Sequence, residues 1–176
     1  MKLLAAGGGS GGHVTPVLVI INELAGLDDR LEVEFVCDRA FESQSRGLME
    51  HAAVAVTVTT IPAGKLRRYH GESAWQRLTD IRTIGLNLRD SVKIVGGLFK
   101  SLWIIMRFRP DVVFAKGGFV CLPLGLAAFV MRVPIVIHDS DTRPGLTNSI
   151  LGKFAARIAT GSPLDNYRYD TKKAAY

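Results

Sequence analysis

Five glycines and a histidine lie close together near the start of the chain, in the segment GGGSGGHVTP of residues 7–16. A glycine loop that opens a helix presents bare backbone N–H groups and the positive end of the helix, which suits a phosphate or diphosphate. His13 ends this loop, and a histidine that titrates near pH 6.5 can act as a general base or a hydrogen-bond donor. The alternatives are a tight turn without a ligand and a histidine with only a structural role.

The spacing of glycines in the same loop resembles the sequence patterns of two nucleotide-binding motifs. Gly7, Gly9 and Gly12 match the dinucleotide fingerprint G-x-G-x-x-G, and Asp38 after a later apolar run could then hold a ribose. The spacing from Gly7 to Gly12 also matches a phosphate loop, but His13 stands where that motif needs lysine. One hypothesis from these residues is therefore the cofactor domain of an NAD-dependent oxidoreductase.

Two further segments carry residues that could bind a ligand. KGGFVCLP at 116–123 repeats the arrangement of strand, glycine pair and helix, and Lys116 could contact a phosphate or simply be solvated. HDSDTRPGLTN at 138–148 begins with a histidine and two nearby carboxylates. The four histidines lack the spacing of metal ligands, so we expect no metal. We expect no cofactor except under the NAD-dependent hypothesis.

The elements that must position these loops alternate between apolar strands and amphipathic helices. We predict strands at residues 2–6, 32–37, 54–61, 111–115, 134–138 and 157–160. The predicted helices cover residues 15–26, 42–52, 74–108 with a possible break near Gly85, 122–131 and 146–154. This order predicts an α/β fold with a doubly wound, Rossmann-like parallel sheet. Loops 7–13, 116–119 and 138–148 all follow strands, so we expect them to meet at the carboxyl edge of the sheet.

Composition and charge exclude some kinds of binding partner and a membrane-spanning segment. The chain of 176 residues carries a net charge of +6, but it has no block of five like charges, which argues against a nucleic-acid partner. The most apolar region, 112–137, is interrupted by charged residues, glycines and prolines, so it is not predicted to span a membrane. Cys37 and Cys121 lie far apart and are expected to be buried thiols.

Three motifs together, GGSGGH at 8–13, PDVVFAKGGFVCLPLGLAA at 110–128 and PIVIHDSDTRPGLTN at 134–148, resemble the MurG family of peptidoglycan N-acetylglucosaminyltransferases. The resemblance implies the N-terminal half of a GT-B fold. It also implies inverting transfer of N-acetylglucosamine from UDP-N-acetylglucosamine to the 4-hydroxyl of undecaprenyl-diphosphate-linked N-acetylmuramyl-pentapeptide. The implied location is peripheral, at the cytoplasmic face of the cell membrane.

The resemblance also assigns site residues. His13 matches the proposed general base of the family. The positions that the resemblance places at the substrates are Gly8, Gly9, Ser10, Gly11, Gly12, Thr15, Gly117, Gly118, Phe119, His138, Asp139, Asp141 and Asn148. The sequence departs from the usual family pattern in two places: Phe119 replaces a tyrosine, and the usual H-E-Q-N appears as His138-Asp139-Ser140-Asp141.

The segment 86–110 combines apolar and basic side chains. We predict that Val92, Val95, Phe99, Leu102 and Met106 face the core, and that Leu88, Leu98, Trp103 and Ile105 leave additional apolar surface. A basic helix with exposed apolar residues can lie on an anionic membrane, although a helix buried on two sides is the alternative. The predicted membrane-binding residues are Leu88, Arg89, Lys93, Leu98, Lys100 and Trp103.

The resemblance also sets the expected domain organisation. Residues 1–163 are predicted to form the acceptor-binding domain and residues 164–176 the start of an interdomain linker. The donor domain is expected to lie outside these residues, so the 176 residues alone should not turn over substrate. A non-catalytic membrane-binding or scaffold module is a third hypothesis.

Overall fold

A computed structural model describes residues 1–8, 11–65, 81–141 and 144–176. Seven parallel strands form one sheet in the order β3-β2-β1-β4-β5-β6-β7. The strands are β1 (Lys2–Ala6), β2 (Glu32–Asp38), β3 (Val56–Ile61), β4 (Val112–Ala115), β5 (Ile135–Asp139), β6 (Arg157–Thr160) and β7 (Ala174–Ala175). The strand order reverses between β1 and β4, which makes the carboxyl ends of these strands the switch point of a doubly wound sheet. The predicted fold class is confirmed.

Helices cover both faces of the sheet. They are α1 (Gly11–Ala25), α2 (Glu42–Met49), α3 (Ile81–Phe108), α4 (Cys121–Val130) and α5 (Leu146–Leu151), with short 3-10 turns at Arg39–Phe41 and Leu164–Asn166. Leu3 and Ala5 of β1 lie in a core with α1 and α2. Leu4 and Ala6 lie in a second core with α3, α4 and α5. Alternate side chains of a strand point to opposite faces, so a buried strand serves both cores.

The first helix begins earlier than predicted. Thr15 and Pro16 were expected to start it, but α1 begins at Gly11 and contains Pro16. A proline favours the first helical position because it has no N–H to donate, yet it can also occupy a later position when one helical bond is lost. Pro16 has no N–H to donate to the Gly12 carbonyl, so the missing hydrogen bond lies within the first turns of α1.

The third helix runs without a break through Gly85. Its exposed apolar side chains form one stripe, which we call the α3 stripe: Ile84, Leu88, Val92, Val95, Phe99, Trp103 and Met106. Steps of three and four residues place all seven within an arc of about 100° on the helix surface.

The prediction that Val92, Val95, Phe99 and Met106 face the core is therefore wrong, since they are 52–67% exposed. Leu102 packs partly buried against the core, as predicted. Leu98 and Ile105, which were expected to add apolar surface, do not: Leu98 packs partly buried against the core and Ile105 is 2% exposed. The helix has two apolar faces, and the face that contains Gly97 packs against the rest of the domain. A Cβ at Gly97 would come within 2.2 Å of the Pro62 carbonyl oxygen, so only glycine allows this close approach.

An ion pair with a buried carboxylate links the carboxyl end of α3 to the sheet. Glu34 of β2 is 1% exposed, and both its carboxylate oxygens accept hydrogen bonds from Arg107 at 2.6 Å. Thr59 of β3 donates a further hydrogen bond to the same carboxylate at 2.6 Å. The guanidinium of Arg107 lies 5.1 Å from the ring of Trp103 in the α3 stripe.

The segment predicted as a linker, 164–176, packs on the domain. Ala174–Ala175 forms the edge strand β7, which pairs with β6. Tyr167 and Tyr169 stack with ring centroids 5.5 Å apart, and Tyr167 is 8% exposed. That this segment leads to a second domain stays a prediction.

Candidate functional site

A cleft of about 250 Å³ lies at the carboxyl edge of the sheet, beside the switch point. Its lining comes from the first turn of α1, the segment after β3, the loop after β4, the end of β5 with the loop after it, and the start of α5. The lining residues are His13, Gly64, Lys65, Lys116, Gly117, Gly118, Phe119, Leu122, Asp139, Ser140, Asp141, Gly145, Leu146, Thr147 and Asn148.

The two glycine loops lie directly against each other. Gly117 and Gly118 have φ angles of +114° and +85°, which residues with a side chain rarely adopt. A Cβ at Gly118 would lie 2.1 Å from the Gly8 carbonyl oxygen. The absence of side chains therefore lets the loop after β4 contact the loop after β1, as their positions at neighbouring strands require.

His13 lines the cleft. Its ring is half-buried, its Nδ1 is buried with no hydrogen-bond partner among the described residues, and its Cε1 would lie 3.7 Å from a Cβ at Gly117. Burial lowers the pKa of His13 below its ordinary value, and the charge of Lys116 lowers it further. The carboxylates of Asp141 and Asp139 act in the opposite direction. A histidine that is uncharged near neutral pH can accept a proton.

The loop after β5 contributes both carboxylates of the cleft. Asp139 is 2% exposed, and its Oδ2 accepts a hydrogen bond from Tyr169 at 2.8 Å. Tyr167 donates its hydroxyl to the backbone carbonyl of Asp141 at 2.5 Å. Burial raises the pKa of the Tyr169 hydroxyl, and its bond to Asp139 raises it further, so this group remains a donor. The predicted linker segment therefore holds the floor of the cleft.

Asn148 and His138 lie behind this loop. Asn148 is 5% exposed, its Nδ2 donates to the His138 carbonyl at 3.5 Å, and its Oδ1 has no partner among the described residues. His138 itself does not line the cleft, although burial and then Lys116 lower its pKa too. Its Nδ1 is buried without a described partner.

Other predicted site residues have mixed placements. Gly8 packs behind Gly118, and Gly11, Gly12 and Thr15 lie in the first turns of α1 without lining the cleft. Gly9 and Ser10 lie outside the described residues.

Asp38, the suggested ribose ligand, does not line this cleft either. One of its oxygens accepts a hydrogen bond from Ala40 N at 3.0 Å, and the other has no described partner. In the parts of the chain described above, no group of three or more His, Cys, Asp or Glu side chains could hold a metal ion.

Sequence reasoning missed several lining residues. Lys116 was considered only as a solvated or phosphate-binding residue, yet it is 2% exposed. Ser140 and Thr147 lie in the 138–148 motif but were not named as site residues. Gly64 and Lys65 carried no motif, and their places in the lining depend on the approach of a separate segment. For Lys116 a signal existed: a lysine directly after a buried strand and before two glycines has little room to reach solvent.

The fold and the cleft define a Rossmann-like domain with a candidate ligand site beside the topological switch point of its sheet. The sequence also matches the glycosyltransferase family 28 N-terminal domain over residues 3–160. The chain belongs to this family, which confirms the class inferred from the three motifs.

Curated relatives match most of this chain. The UDP-N-acetylglucosamine--N-acetylmuramyl-(pentapeptide) pyrophosphoryl-undecaprenol N-acetylglucosamine transferase of Shouchella clausii (strain KSM-K16) is 40% identical over 159 residues, which are 90% of this chain and 40% of the relative. The transferase of the same name from Clostridium botulinum (strain Loch Maree / Type A3) is 34% identical over 162 residues, or 92% of this chain and 40% of the relative. The chain thus spans about 40% of the length of these relatives.

Solved structures share the fold. The crystal structure of Acinetobacter baumannii MurG has a TM-score of 0.72 at 21% identity and covers 99% of this chain and 44% of that chain. A putative UDP-N-acetylglucosamine 2-epimerase from Listeria monocytogenes has a TM-score of 0.68 at 12% identity, with the same coverage. At these identities the likeness shows the fold alone.

Proposed function

We propose that this chain is the acceptor- and membrane-binding domain of an inverting N-acetylglucosaminyltransferase of peptidoglycan synthesis. The donor is UDP-N-acetylglucosamine, and the acceptor is the 4-hydroxyl of undecaprenyl-diphosphate-linked N-acetylmuramyl-pentapeptide. The observation that carries the proposal is that His13, residues 116–119, residues 139–141 and residues 145–148 of a family 28 domain line one cleft. The relatives named above are transferases of this kind. Family membership leaves the NAD-dependent alternative without support.

His13 is the general base in this proposal. Its uncharged ring accepts the proton of the acceptor hydroxyl while the hydroxyl oxygen forms a bond to the anomeric carbon. The bond between that carbon and the diphosphate oxygen breaks, and UDP leaves with the electron pair. The configuration inverts because the oxygen attacks from the face opposite the leaving group. In this proposal the backbone N–H groups of Gly117 and Gly118 face the substrate phosphates, which glycine allows to come close.

The remaining predicted contacts fit into the same proposal. Gly117, Gly118, Phe119 and Asn148 contact the sugar groups and phosphates within the cleft. A phenylalanine at 119 supplies an apolar surface without a hydroxyl. Asp141 places a carboxylate where an amide is usual in the family, so it can accept hydrogen bonds from sugar hydroxyls but cannot donate any.

A transfer assay on the full-length protein tests this proposal. His13→Ala should lower kcat by roughly 10²- to 10⁴-fold, the usual contribution of a positioned base. The matched control is His51→Ala, since His51 is exposed on the carboxyl side of α2 and its Nδ1 lies 3.0 Å from the Gly47 carbonyl oxygen. A folded full-length protein that transfers no N-acetylglucosamine would refute the function. Equal losses in the two variants would refute the role of His13.

The α3 stripe supports membrane binding. None of the described helices is long and apolar enough to cross a bilayer. Seven apolar side chains nevertheless face solvent along one side of α3. The helix positions of Arg89, Lys93, Lys100 and Arg107 put these basic residues together along one flank of the stripe. A helix with this division can lie at the surface of an anionic membrane, at the cytoplasmic face in this proposal.

Of the residues predicted to bind membrane, Leu88 and Trp103 are 68% and 54% exposed and belong to the stripe. Leu98 is partly buried in the core and is not part of it. Flotation of the 176-residue chain with vesicles tests the surface. We expect stronger binding to anionic than to neutral vesicles, since each nearby Lys or Arg contributes about 1 kcal/mol.

Trp103→Glu should lower vesicle binding, because it places a carboxylate in the apolar stripe near its carboxyl end. The control is Leu27→Glu, at an 84% exposed leucine in the turn after α1, which should leave binding unchanged. Equal binding to both vesicle types would remove the electrostatic part of the proposal. Unchanged binding of the Trp103 variant would refute the role of the α3 stripe in membrane binding.

A further inference from the structure

Lys116 is a charged side chain buried at the base of the cleft. It follows β4, its N–H donates to the Ala6 carbonyl at 3.0 Å, and the residue is 2% exposed. Its Nζ donates a hydrogen bond to the Ser140 hydroxyl at 2.8 Å. Lysines are rarely buried to this degree unless they are paired, because removal of an ammonium group from water is costly.

The carboxylates that balance Lys116 flank its hydrogen-bond partner. Ser140 lies between Asp139 and Asp141, and Asp141 N donates to Asp139 Oδ1 at 3.4 Å. Burial lowers the pKa of Lys116, while the charges of Asp141 and Asp139 raise it. The three charges thus form one group at the ends of two adjacent strands, with the cation beneath the loop that carries the two acids.

His13 shares the cleft with this group. Lys116 directly precedes Gly117, and the His13 ring touches the position that a Cβ of Gly117 would occupy. The cation opposes protonation of the ring, and Asp141 and Asp139 favour it. Without Lys116, two carboxylates would act on His13 with no opposing charge at the base of the cleft.

We propose that Lys116 is a positioning residue of this site: its buried ammonium offsets the charges of Asp139 and Asp141 and so, together with the burial of the ring, keeps His13 uncharged. The proposal rests on the proposed function in one respect, namely that an uncharged His13 serves as the base. In that role Lys116 touches neither the acceptor hydroxyl nor the departing diphosphate. It acts through the charge state of the imidazole.

The other titratable groups around the cleft have smaller or separate effects. His138 is exposed to the same cation and its pKa is also lowered. Lys65 lines the cleft opposite the strand ends. Burial raises the pKa of Cys121 to about 12, so this thiol of α4 is uncharged. The α5 residues that line the cleft carry no titratable group.

NMR titration of the imidazole of His13 in the 176-residue chain tests the proposal without any transfer assay. Lys116→Met removes the cation and keeps the apolar stem, so the pKa of His13 should rise. Asp141→Asn removes an opposing charge at an exposed position and should lower it. The double variant should return toward the wild-type value. Lys153→Met, a loss of the same charge at an exposed residue outside the cleft, should leave the titration unchanged.

A folded Lys116→Met chain with an unchanged or lowered pKa of His13 would overturn the proposal. If that variant does not fold, Asp141→Asn decides, because an unchanged or raised pKa there contradicts the same balance of charges. In the full-length enzyme, Lys116→Met should move the acidic limb of the pH–kcat profile to higher pH. If the titrations shift as expected but no variant or wild-type protein transfers sugar, the transferase function fails and the charge balance stands.

Discussion

Replacement of Gly118 by alanine probes the contact on which the cleft is built. The added Cβ would lie 2.1 Å from the Gly8 carbonyl oxygen, whereas an ordinary contact of this kind needs more than 3 Å. The neighbour is backbone, so no flexible side chain can move aside. The two glycine loops must therefore separate by about 1 Å, or the backbone at residue 118 must change conformation.

Two contributions determine how much Gly118→Ala destabilises the chain. A residue with a side chain at φ +85° costs roughly 1–2 kcal/mol relative to glycine. Separation of packed loops adds to this, so Gly118→Ala should lower the free energy of unfolding by at least about 2 kcal/mol. For a chain of this size, each kcal/mol shifts Tm by roughly 2–4 °C, which predicts a Tm about 4–8 °C lower.

Thermal and urea unfolding of the 176-residue chain, followed by circular dichroism, measure this change. The matched control is Gly85→Ala, because a Cβ there meets open space within α3. Alanine in a helix interior should stabilise the chain by roughly 0.5–1 kcal/mol. The same chemical change thus has opposite signs at the two positions. If Gly118→Ala is as stable as wild type, the loops are not in the contact described.

Two further predictions concern the floor of the cleft and its histidines. Tyr169→Phe removes the donor to the buried Asp139 carboxylate and should lower the free energy of urea unfolding by about 1–3 kcal/mol; no loss would mean that the bond is absent. The lowered pKa values of His13 and His138 predict a stability that is constant above about pH 7 and declines as pH falls below roughly 6.5. The unfolded chain binds these protons first, so acid favours unfolding. His138→Gln should flatten this decline in urea titrations between pH 7.5 and 5.5, and an unchanged slope would contradict the reasoning.

The sheet and the place of the site were predictable from the sequence because they depend on local signals. Short apolar runs followed by glycine or polar turns identified six strands, and parallel strands necessarily bring their carboxyl ends to one edge. That argument alone placed His13, Gly117 and Asp141 together. The edge strand β7, only two residues long, has no such signal, since Ala174–Ala175 depends on pairing with β6.

The errors came from features that depend on tertiary contacts. The periodicity of α3 shows two apolar faces, and only the close approach of Gly97 to Pro62 shows which one lies on the domain. The start of α1 was misjudged because Pro16 favours the first helical position, whereas the helix begins upstream at Gly11, a residue type of low helix propensity. The burial of Lys116 was not predicted because a lysine side chain is normally long enough to reach water.

The attachment of α3 also determines how the domain could be oriented. The helix is fixed along its length by the contact at Gly97 and by the ion pair of Arg107 with Glu34, so it cannot roll about its own axis. The α3 stripe runs from Ile84 to Met106, about 33 Å at 1.5 Å per residue. A planar surface in contact with such a stripe would fix the tilt and the roll of the whole domain and leave only rotation about the surface normal. On the membrane proposed above, an enzyme held in this way would meet a lipid-linked acceptor by lateral diffusion in two dimensions, with the height and inclination of its cleft already set.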